Sequence, residues 1–64
     1  MKKYHYSGAV RVYDTLAAPN WQADTMAESE RRAKTNFRFQ FAKQAGYDIR
    51  HVRITLEGKI EEVE

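Results

Sequence analysis

The sequence predicts an α+β domain: a three-stranded antiparallel sheet with one helix packed on one face, in the chain order β-β-α-β. Three observations carry this. A single stretch, Ser29 to about Gln44, combines helical periodicity with capping residues at both ends. Lys3–Asp14 and Ile49–Leu56 alternate apolar and polar residues as half-buried strands do. A shorter alternation from Trp21 to Met26 or Ala27 sits between the first of these and the helix.

In the first strand Tyr4, Tyr6, Val10 and Val12 share one face, and His5, Ser7, Ala9, Arg11 and Tyr13 share the other. Gly8 interrupts the pattern, which suggests a bulge or the close approach of another backbone. Thr15–Asn20 reads as a loop, because Pro19 fixes φ, Asn20 suits a turn and Ala17-Ala18 bury little. The second strand then sets Trp21, Ala23 and Thr25 against Gln22, Asp24 and Met26, returning antiparallel to the first.

The helix is capped by Ser29, whose side-chain oxygen can accept a free N–H of the first turn; Thr25 with Glu28 offers an alternative capping box. Gly46 supplies the left-handed residue that closes it, after Lys43 in the last turn. Ala33, Phe37, Phe41 and Ala45 form its apolar stripe, bordered by Asn36, Gln40 and Gln44. Arg31, Lys34 and Arg38 make a basic ridge on one flank. Phe39 falls off the stripe, between Arg32 and Lys43, and cannot fully share that side, so it either stays exposed for a partner or is covered by Trp21 or by Ile60 and Val63 of the tail.

Past the Gly46-Tyr47-Asp48 turn, the third strand puts Val52, Ile54 and Leu56 on one face and His51, Arg53 and Thr55 on the other. Residues 57–64 are an acidic tail that either extends the sheet or frays. The predicted order across the sheet is second, first, third strand. The predicted core is Tyr6, Val10, Val12, Trp21, Ala33, Phe37, Phe41, Val52, Ile54 and Leu56.

With 64 residues the chain reads as one domain, and a chain this short buries only about 60% of its unfolded surface. Self-association is therefore a serious expectation. The absence of cysteine removes a disulfide framework and thiolate metal sites. No apolar run approaches membrane-spanning length and no signal peptide is legible, so the expected setting is cytoplasmic with no membrane partner. Met1–Leu56 carries ten Lys/Arg against five Asp/Glu, whereas the last eight residues carry one lysine against four glutamates. A basic body of this kind attracts polyanions, and the tail can shield it.

Trp21, the entry Ala27-Glu28-Ser29-Glu30, the middle Asn36-Phe37-Arg38-Phe39-Gln40-Phe41-Ala42-Lys43 and the late Leu56-Glu57-Gly58-Lys59-Ile60 resemble small proteins encoded on phages and conjugative elements of Gram-positive bacteria. That resemblance implies a mobile-element setting and no chemistry. The Ala27–Lys34 entry is also similar to the sheet-plus-helix DNA-binding modules at the N-termini of phage-type integrases, and to double-stranded RNA-binding domains.

The functional expectation is a small non-enzymatic binding module that takes DNA or RNA, chiefly through phosphates. Two surfaces qualify. The outward sheet face offers His5, Ser7, Arg11 and Tyr13 with His51, Arg53 and Thr55; the helix offers Arg31, Lys34 and Arg38. The alternative is a protein-interaction module or homodimer using Phe39, flanked by Arg32 and Lys43, and the free sheet edge. His5 and His51 lack a third ligand, so no metal site is expected. Asp14, Asp24 and Asp48 sit at turns or strand ends, no phosphate-cradling glycine loop is present, and neither an enzyme nor a cofactor is expected.

Overall fold

A computed structural model describes residues 1–63, leaving Glu64 of the acidic tail outside the described residues. Five elements follow in order: β1 (Lys2–Val12), β2 (Thr15–Ala27), α1 (Glu30–Ala45), β3 (Ile54–Leu56) and β4 (Lys59–Val63). All pairings are antiparallel. β1 is central, with β2 along one side and β3 and β4 end to end along the other. The predicted order of second, first and third strand therefore holds, and the tail adds a fourth strand.

Three local readings are corrected. Thr15–Asn20 is strand, because the chain reverses in the two residues Tyr13-Asp14, and Val12 pairs directly with Thr15. Tyr13 makes that turn at φ 56°, held by its N–H on the Arg53 carbonyl at 2.9 Å and its hydroxyl on the His51 carbonyl at 2.6 Å. Pro19 is tolerated because β2 is an edge strand, and register shifts between Gly8 and Val10 and between Val10 and Arg11 absorb the extra residues of β2 as bulges.

The third strand is shorter than Ile49–Leu56. The Asp48 carboxylate accepts the Arg50 N–H at 3.0 Å, and the Asp48 carbonyl accepts the His51 N–H at 2.9 Å. This local turn competes with the ladder and keeps His51 and Val52 out of it. The third correction concerns the core. Trp21 and Val52 are only partly buried, while Tyr4, Ala27 and Ala42 join the buried set.

α1 begins at Ser29, whose Oγ accepts the Arg32 N–H at 3.3 Å, and ends at Gly46 in the left-handed region with φ 80°. Its buried stripe of Ala33, Phe37 and Phe41 packs on Tyr6 and Trp21. The Trp21 ring meets Phe41 edge-on at 5.4 Å between centroids and Tyr6 at 5.7 Å. The bordering amides fasten the helix to β2. Asn36 donates to the Thr25 hydroxyl at 3.2 Å, Gln40 to the Asp24 carbonyl at 3.2 Å, and Gln44 accepts the Trp21 indole N–H at 3.1 Å.

β3 and β4 are one edge strand in a single register. Val10 pairs with Leu56 and Ser7 with Lys59, so the same number of residues separates the two pairs on each strand. At the join, the backbones of Gly8 and Gly58 lie against one another. A Cβ on Gly58 would overlap the Ser7 carbonyl and stand 2.7 Å from the Gly8 Cα. The fully buried Tyr6 pins this crossing: its hydroxyl donates to the Ala9 carbonyl and accepts the Gly58 N–H at 2.8 Å. Burial raises the Tyr6 pKa, with the nearby Glu57 carboxylate adding to the effect, while the hydrogen bonds from the Gly58 and Glu57 N–H groups oppose it.

Candidate nucleic-acid interface

Of the two surfaces foreseen, the sheet face is largely neutralised. Arg11 gives its Nε–H to Glu57 at 2.6 Å and another N–H to the Asp14 carbonyl at 3.2 Å. His5 meets Asp24 at 2.6 Å, and Lys59 meets Glu61 at 3.2 Å. His51 lies in the turn beside Asp48, so the two histidines do not come together. Asp48 itself is held below the usual carboxylate range by hydrogen bonds from Arg50. The outward face is thus a mosaic of ion pairs, each weak in water but together leaving little net positive field.

The helix flank is different. The amide row turns toward β2, so the ridge of Arg31, Lys34 and Arg38 turns the other way, toward the β3–β4 edge. Arg53 joins it. Although the alternation assigns Arg53 to the outward sheet face, it precedes β3 at the edge and shares a groove of about 260 Å³ with Lys34, Arg38, Ile54, Thr55 and Leu56. A second hollow of about 420 Å³ continues this groove along β4 through Lys34 and Leu56, and adds Glu30, Arg31, Gly58 and Ile60. The first hollow has no carboxylate in its lining, and the second has one, Glu30, a helical turn before Lys34. Arg31, Lys34, Arg38 and Arg53 form no ion pair with any described residue. The Arg38 Nε is buried against the groove wall without a hydrogen-bond partner.

Four of the five sequence-predicted nucleic-acid residues are therefore collected on one side of the molecule, and Arg11 is not among them. Of the groove floor, Thr55 was foreseen only as part of the outward sheet face, and Leu56, Gly58 and Ile60 were not foreseen as part of a site, since the pairing of residues 54–56 and 59–63 with β1 builds it. Phe39 stands 53% exposed on the helix, and Trp21 is engaged with Phe37 and Phe41 and does not cover it. Arg32 and Lys43 are exposed on the same helix. Among the described residues no helix is long and apolar enough to cross a membrane. Comparison with protein-family models, with curated proteins and with solved structures finds no match for this chain.

Proposed function

We propose that this chain is a nucleic-acid-binding module whose contact surface is the groove between α1 and the β3–β4 edge. The observation that supports it is the convergence of Lys34, Arg38 and Arg53, with Arg31 adjoining, in a groove where they form no ion pair with a described residue and where Glu30 is the one carboxylate of the lining. Unpaired cations release counterions when they meet phosphates, which makes such a row far more effective than the same charges locked in ion pairs. Three of the groove's four cations, Arg31, Arg38 and Arg53, are guanidiniums, which match a phosphate with two parallel hydrogen bonds. The floor offers a hydroxyl and aliphatic side chains but no aromatic ring, so the contact is with backbone phosphates, and duplex DNA is the favoured class.

The test is a titration of short labelled DNA and RNA duplexes at several salt concentrations. Three to four phosphate contacts give a log–log salt slope of about −3, and each charge reversal in the groove removes about one unit of it. Arg38→Glu and Arg53→Glu should both lower affinity across sequences, whereas Arg11→Glu should change little. Absence of binding at low salt, or equal losses from Arg11→Glu and Arg38→Glu, would refute the assignment.

A further inference from the structure

The two edges of the sheet are not equivalent, and the difference points to a partner. β2 is a poor template for another strand: Pro19 lacks an N–H, two bulges distort its first half, and the carbonyls of Asp24 and Met26 in its second half accept from Gln40 and Asn36. The β3–β4 edge has no proline and no register shift against β1; its one interruption is at Gly58, whose N–H is taken up by the Tyr6 hydroxyl. The N–H groups of Tyr13 and Glu57 bond to Arg53 and Ala9 carbonyls across the β1 ladder. By antiparallel alternation, residues 53, 55 and 57 turn their main chain to β1, while Ile54, Leu56, Ile60 and Glu62 turn theirs outward.

The edge is also complementary to itself. Turn a second copy about a two-fold axis near Gly58, perpendicular to the sheet, and the outward groups oppose one another in register. Leu56 then faces Ile60 of the second copy, Glu57 faces its Lys59, and Glu62 comes beside Ile54 and the Arg53–Arg38 end of the groove. Apolar meets apolar at Leu56–Ile60 and acid meets base at Glu57–Lys59, while Glu62 opposes Ile54 with the Arg53–Arg38 cations beyond it. Both helices fall on the same face of the joined sheet. Their basic flanks look at each other across a floor whose outer limits, the two β1 strands, are three strand spacings, about 14 Å, apart. The cationic ends reach inward from those limits, over Leu56 and Ile60, so the two flanks repel one another, and a polyanion lying between them touches both and relieves that repulsion.

We propose that a second copy of this chain pairs antiparallel along β3 and β4, and that the groove on one copy is half of a two-sided basic cleft completed by the other. Pairing itself stands on the edge geometry and charge pattern; only the nature of what fills the cleft rests on the nucleic-acid reading. Phe39, on the outer side of α1, takes no part.

The experiment is sedimentation equilibrium of the full chain from low micromolar to several hundred micromolar, without nucleic acid. The expected result is a monomer–dimer equilibrium. Lys59→Glu should weaken it about tenfold by setting two acids opposite, and Glu57→Lys with Lys59→Glu should restore it to within about threefold. Glu62→Pro removes one outward N–H without touching the β1 ladder and should weaken dimerisation about tenfold or more, with its circular dichroism unchanged. Phe39→Ala should leave the equilibrium as it is. A wild type monomeric throughout overturns the proposal, as does a dimer that ignores Lys59→Glu and Glu62→Pro or dissociates with Phe39→Ala. Duplex titration of Lys59→Glu separates the two readings: a monomer that still binds at low salt keeps the cations and loses only the second wall, whereas a wild-type dimer that binds no duplex retains the pairing and refutes the nucleic-acid assignment.

Discussion

Tyr6→Phe removes one hydroxyl, with its two hydrogen bonds, from a largely apolar core. The ring of Tyr6 is fully buried between Trp21 and Phe37, and phenylalanine keeps that packing. What is lost is the hydroxyl. The Ala9 carbonyl retains a donor, because the Glu57 N–H reaches it at 3.1 Å. The Gly58 N–H has no such substitute among the described residues, but Gly58 is only partly buried, so water can reach it in part. One lost net hydrogen bond and one partly rehydrated amide together amount to about 1–2 kcal/mol. For a domain this short that is a substantial fraction of a total near 3–10 kcal/mol, and it lowers Tm by about 5–15 °C. Urea denaturation followed by circular dichroism should show the loss as a lower midpoint with an unchanged slope. Amide exchange should quicken first at residues 57–60, where β3 hands over to β4. A loss under about 0.5 kcal/mol, or exchange that quickens uniformly, would refute the idea that the hydroxyl pins the crossing.

The same lock has a pH signature. Tyr6 ionises less readily folded than unfolded, so the unfolded chain binds fewer protons above the ordinary tyrosine value of 10.0; stability is whole below that value and falls as pH rises beyond it. Tyr6→Phe should flatten this alkaline decline relative to wild type in urea midpoints measured from pH 9 to 11. Two glycine variants should part company in size. Gly46→Ala meets nothing nearby and carries only the strain of a left-handed φ, about 1 kcal/mol, which Gly46→Asn should largely recover. Gly58→Ala forces backbones apart at the β1 crossing and should cost more than Gly46→Ala, with loss of β4 amide protection; equal costs would mean that the glycine contact does not hold the strands in register.

The charges were legible one by one and illegible as a surface. Helical spacing placed Arg31, Lys34 and Arg38 on one flank, because that arrangement is local and needs only the pitch. It could not say that Glu57 would cross to Arg11, forty-six residues away, and remove it from any binding surface. Nor could alternation place Arg53, since the Asp48 turn cut the strand short and set this residue at the sheet edge beside α1. Trp21 shows the same limit in the core: its face was read correctly, but its depth depended on how far α1 overhangs β2.

The sequence by itself determined what depends on near neighbours. It set the capped helix between Ser29 and Gly46, the alternating faces of β1, the basic flank and the off-stripe Phe39, all of which follow from periodicity and local backbone preference. Only the tertiary structure decided that residues 15–20 are strand, that residues 59–63 continue β3 along β1, and that the groove lies between that edge and the basic flank. Those outcomes turn on long-range partners. A Pro-bearing segment becomes an edge strand when a tight turn brings it beside β1, and a short acidic tail becomes a strand when Gly8 and Gly58 allow two backbones to touch.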